Sequence, residues 1–113
     1  MGRRIPRSDA VRVINGSFAW IDHRLIRDGH LERMTLEEIA LYLFLALVAD
    51  RNGVSFYRKD VISNKLGIDW PQFETAKRRL LEKGLIAFEP YRAGQVDGFY
   101  QVLPIPDSQE LGK

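Results

Sequence analysis

The 113 residues suffice for one folded domain and leave little room for a second. Apolar residues make up 45% of them, enough for a single core and too many for a disordered chain, and the absence of cysteine excludes disulfides and thiolate metal sites. Formal net charge is only +2 with an isoelectric point near 9.1, so the global balance points weakly to nucleic acid, and the distribution of charge says more.

Residues 1–16 hold Arg3, Arg4, Arg7 and Arg12 with few large apolar groups, and read as a flexible basic arm. No apolar run stands behind this basic start, as a signal peptide requires. Order is expected to begin near Phe18. Asp22 can cap a short helix, His23 to Asp28, whose apolar side is Trp20, Ile21, Leu25 and Ile26, and Gly29 ends it. Residues 1–30 are net +3.

Thr35-Leu-Glu-Glu38 is a capping box: the Thr35 hydroxyl can accept from the Glu38 amide, and the Glu38 side chain can return to the Thr35 amide. The helix it opens should run from Leu36 to Asp50. Its apolar run, Ile39 to Ala49, is about half the ~20 residues needed to cross a bilayer, so a soluble, cytoplasmic protein without a membrane partner is expected. Two apolar stripes run along this helix. One is Ile39, Leu43, Ala46 and Leu47; the other is Leu41, Phe44, Leu45 and Val48. A helix apolar on both sides is covered on both sides. The helices that follow can cover one stripe. The second, Leu41, Phe44, Leu45 and Val48, then needs either the N-terminal segment or a partner subunit, and is the candidate homodimer interface.

Val54 to Tyr57 reads as a short strand and Lys59 to Leu66 as a helix closed by Gly67. Asp69 opens a third helix reaching Lys83, with Phe73, Ala76, Leu80 and Leu81 at helical spacing; Trp70, before Pro71, is an alternative cap. Residues 53–84 are net +3. After Gly84 the pattern changes to strands, Leu85–Pro90 and Phe99–Leu103, joined by a turn-rich link that contains Asp97-Gly98. Residues 17–106 form the expected domain, and 107–113 an expected fraying tail.

The run Asp60-Val-Ile-Ser-Asn-Lys-Leu-Gly-Ile-Asp69, then Trp70 to Leu80, then Leu-Glu-Lys-Gly-Leu-Ile86 resembles bacterial winged-helix regulators. Gly67, Phe73, Leu80 and Gly84-Leu85-Ile86 fall on their register without a gap. More widely, Phe18 to Ile21 and Met34 to Glu38 make the chain similar to the N-terminal domains of replication-initiation proteins of the primosomal DnaD type and the phage replication type. Outside residues 60–86 this likeness is one of pattern. It does not extend to the further domain those proteins usually carry, so the recruitment and oligomerisation functions placed there do not transfer. The resemblance implies an α+β, mainly α, winged helix-turn-helix: a three-helix core, a small antiparallel sheet with a C-terminal wing hairpin, and a short N-terminal helix. It implies double-stranded DNA as partner, in transcription regulation or replication initiation.

A recognition helix lies in the major groove with its N-terminal residues foremost. With Phe73, Ala76 and Leu80 inward, Pro71, Thr75, Arg78 and Glu82 point outward, flanked by Gln72 and Arg79. Gln72 and Thr75 can then reach bases, and Arg78, Arg79 and Lys83 bases or phosphates. Arg58, Lys59 and Lys65 can hold the backbone, Arg92 stands on the wing, and Trp70 is either a packing residue or a contact. Asp69, Glu74 and Glu82 count against DNA. The arm arginines either add non-specific affinity or belong to a tail without function.

Catalysis is not expected. His23 and His30 lack metal-ligand spacing, no Gly-rich phosphate loop or nucleophile elbow is present, and the carboxylates are scattered. No cofactor, metal or small-molecule substrate is implied. A winged helix that binds protein, or dimerises, without binding DNA stays open as the alternative.

Overall fold

The computed structural model describes residues 4–106. Residues 4–16 hold one 3-10 turn, Ser8–Ala10, and all are exposed. Arg3 and the expected tail, 107–113, lie outside the described residues. Helix α1 is a single turn, Arg24–Arg27, shorter than its apolar pattern suggests. Asp22 starts it by accepting from the Arg24 amide at 2.9 Å. A second 3-10 turn, Leu31–Arg33, leads into α2, Leu36–Val48.

Thr35 caps α2 as its spacing requires, its hydroxyl oxygen accepting from the Glu38 amide at 3.2 Å. The reciprocal half of the capping box is replaced. The Glu38 carboxylate accepts from the Thr35 hydroxyl at 3.1 Å and turns into the core. The helix stops two residues before Asp50 because the Asp50 carboxylate accepts from the amides of Asn52 and Val54, at 2.8 and 3.0 Å, and so builds the turn into strand β1, Val54–Tyr57.

Helices α3, Lys59–Leu66, and α4, Trp70–Glu82, are joined by a tight turn. Gly67 sits there at φ 68°, and its amide and that of Ile68 both donate to the Ser63 carbonyl. Asp69 then caps α4 through a full capping box with Gln72, both bonds 2.9 Å. Trp70 is therefore the first helical residue and not the cap, and Pro71 follows where a missing N–H costs nothing.

Strands β2, Ile86–Pro90, and β3, Gly98–Val102, complete an antiparallel sheet of order β1-β3-β2. Its rows are Val54–Gln101–Ala87, Ser55–Tyr100–Phe88 and Phe56–Phe99–Glu89. Alternation turns the middle row toward the helices and the outer two rows away. Gly98 allows the hairpin to close, since a Cβ there would collide with the Glu89 carbonyl and lie 2.6 Å from the Pro90 Cα. The architecture is α+β and mainly helical. Among the described residues no helix is long and apolar enough to cross a membrane.

Leu41, Leu45, Ile62, Phe73, Leu80, Leu85 and Tyr100 are fully buried at the centre of one apolar cluster. This corrects the assignment of the α2 stripes. Leu41, Phe44 and Leu45 are core residues and Val48 packs half-buried against them, so none of the four can form a dimer interface. The exposed line is Leu36, 80% exposed, Leu43, 44%, and Leu47, 60%. Periodicity alone makes the two stripes equivalent. The tie is broken by Glu38, which shares a face with Leu41 and Leu45 and is bound by Lys83 at the end of α4. The N-terminal segment also departs from expectation: Leu25 enters the core, but Trp20, Ile21 and Ile26 are exposed. Phe18 and Trp20 line a groove of about 870 Å³ beside the end of α2 and residues 101–105 instead of filling it.

Candidate nucleic-acid interface

Helix α4 buries Phe73, Ala76 and Leu80 and leaves Pro71, Thr75, Arg78 and Glu82 exposed along one ridge. Its two flanks are used by the fold. On the α2 side lie Arg79 and Lys83; on the sheet side the Lys77 ammonium lies 3.4 Å from the Phe88 ring centroid. Burial lowers the Lys77 pKa, against the opposing pull of Glu74. Lys77 was not singled out by the sequence, although its position next to the inward Ala76 carried the signal.

Two residues expected to touch DNA are committed elsewhere. Lys83 donates to the Glu38 carboxylate and, at 2.7 Å, to the Arg33 carbonyl, tying the end of α4 to the start of α2. Lys59 is buried with its ammonium against the Trp70 ring, and its amide donates to the Asp97 carboxylate at 2.9 Å. Asp97, on the hairpin, thus caps α3 and fixes the hairpin to the helix pair, a link between residues 38 apart that local patterns do not reveal. Two more are partly committed. The Gln72 amide oxygen is held in the α4 cap, and Arg79 leans 3.8 Å from Glu38. Trp70 packs against Lys59 and stays half-exposed.

The remaining cations are on the surface. Arg78 meets Glu82 at 3.5 Å and Arg58 meets Asp60 at 3.1 Å, all four side chains exposed. Such pairs contribute roughly 0–1 kcal/mol and exchange readily for a phosphate. Lys65 and Arg92 are exposed, with no carboxylate within ion-pairing distance among the described residues. Arg4 and Arg12 of the arm are exposed, and Arg7 pairs with Asp9 at 2.9 Å.

Glu38 is a fully buried carboxylate. Burial alone would raise its carboxyl, but the hydrogen bonds from Lys83 and Thr35 together outweigh that and hold it below the ordinary carboxylate range. Among the described residues no group of three or more His, Cys, Asp or Glu side chains can hold a metal ion. No family model matches the chain, and neither a curated protein nor a solved structure is similar enough to it to carry an argument.

Proposed function

We propose that the chain is a winged helix-turn-helix domain that binds double-stranded DNA through α4 and does no chemistry on it. The observation that carries this reading is the exposed ridge of α4. It opens behind a full capping box, presents Thr75 and Arg78 outward, and is left unused by the core. A helix so presented fits a major groove, with α3 crossing the backbone and the β2–β3 hairpin as the wing. Arg58, Lys65, Arg78 and Arg92 are exposed cations around the helix pair and the wing that phosphates can reach, so affinity is modest and salt-sensitive. The test is a titration of random duplex at several salt concentrations. Wild type binds at low salt, and Arg78→Ala with Lys65→Ala weakens binding and flattens the log–log salt slope by about 0.9 per lost contact. No binding at low salt, or an unchanged slope in the double variant, contradicts the reading.

One observation favours a second role, self-association. Leu36, Ala40, Leu43 and Leu47 follow one another at steps of four, three and four, the spacing with which one helix packs on another. The stripe carries no charge.

A further inference from the structure

We propose that the outer face of the sheet is a second nucleic-acid site, one that takes an unpaired base and prefers guanine to thymine. This rests on the nucleic-acid reading of the domain but uses none of α4. Phe56, Tyr91 and Phe99 meet there, with ring centroids 5.1 Å apart for Phe56–Phe99, 5.5 Å for Phe56–Tyr91 and 6.2 Å for Tyr91–Phe99. They are 42%, 53% and 40% exposed. Three large aromatic side chains left half-exposed side by side forgo part of the burial that the core gives others. Phe56 meets both other rings edge to face, an arrangement that leaves ring faces open for a planar ligand.

The patch continues into a hollow of about 290 Å³, where Val54 and Ala87 are small and Phe99, Glu89 and Gln101 stand around them. A base stacked on Phe99 meets the Glu89 carboxylate and the Gln101 amide at its edge. A carboxylate only accepts hydrogen bonds. Guanine offers it two adjacent donors, N1–H and the N2 amino group. Thymine offers one N–H between two carbonyl oxygens, which a carboxylate repels. In a duplex these edges are already paired, so the base must be unpaired. The Arg92 guanidinium, 5.7 Å from the Tyr91 ring centroid, stands where a backbone phosphate would be held. Aromatic faces, a carboxylate beside an amide at the edge and a neighbouring guanidinium together suit a nucleotide better than an aliphatic peptide.

The probes are a blunt random duplex, the same duplex with a short single-stranded thymine tail, and one with guanine within that tail. The tail is expected to tighten wild-type binding roughly tenfold, more with guanine than without. Phe99→Ala should abolish the gain and leave blunt-duplex binding unchanged, and Glu89→Gln should abolish the guanine preference. Phe56→Ala gives the same test should Phe99→Ala not fold. If tailed and blunt probes bind wild type equally, the proposal is overturned and the α4 reading stands. Tail-dependent binding without binding of the blunt duplex overturns the α4 reading and supports this one. A wild-type oligomer that Phe99→Ala dissociates, with no effect of the tail, assigns the patch to a protein partner and overturns the proposal.

Discussion

Glu38 enters the core because Thr35 and Lys83 meet it there, and the Thr-x-x-Glu spacing that announces the helix start says nothing of where the carboxylate goes. Its partner lies 45 residues further on. Removing that partner leaves a buried carboxylate with only the Thr35 hydroxyl and a distant Arg79. Lys83→Ala is expected to cost about 3 kcal/mol at neutral pH by urea unfolding. The sign with pH follows from the lowered carboxyl: the stability it contributes is present above the unfolded value of about 4.3 and is lost as pH falls through the lower folded value. In Lys83→Ala burial is opposed only by the Thr35 hydrogen bonds and the distant Arg79, so the folded carboxyl moves upward and the deficit against wild type narrows on acidification. An equal deficit at neutral and acid pH contradicts this role. Lys59 teaches the same lesson: its place between Arg58 and Asp60 marks a charged helix start, and only the hairpin's Asp97 and the ring of Trp70 show that it is buried.

The starts of α2 and α4 and the stop of α3 were legible because they are local, whereas Asp50 ends α2 two residues early and the start of α3 is capped by the distant Asp97. Thr35, Asp69 and Gly67 each act within three or four residues, and α2, α3 and α4 stand where those residues put them. The rotation of α2 was not legible, because Leu41-Phe44-Leu45 and Leu43-Leu47 have the same period and comparable bulk. The difference is measurable. Leu45→Ala should destabilise by roughly 2–5 kcal/mol, as a fully buried leucine does, whereas Leu47→Ala should change stability by only about 0.5 kcal/mol. Equal costs would contradict the rotation. On α4 the inward residues were legible from period 3.6. The loss of Lys83 and part of Arg79 to α2 was not, because it depends on which helix lies alongside.

At the scale of the whole molecule, three surfaces stand apart from the core: the α4 ridge with its neighbouring cations, the Leu36-Ala40-Leu43-Leu47 line of α2, and the aromatic outer face of the sheet. If the line pairs two copies, light scattering gives twice the 13.0 kDa chain mass at micromolar concentration, and Leu43→Glu returns it to one. A mass that stays at one chain at every concentration contradicts self-association. The charge separation of the sequence, positive over 53–84 and negative over 31–52, is consistent with DNA on the first surface and protein on the second. The most direct test of the DNA reading is to see where the duplex touches. Amide resonances of the uniformly nitrogen-labelled chain, followed as random duplex is added at low salt, should shift at Arg58, Lys65, Thr75 and Arg78 and stay still along Leu36 to Leu47. Shifts confined to α2, or none at all, would contradict it.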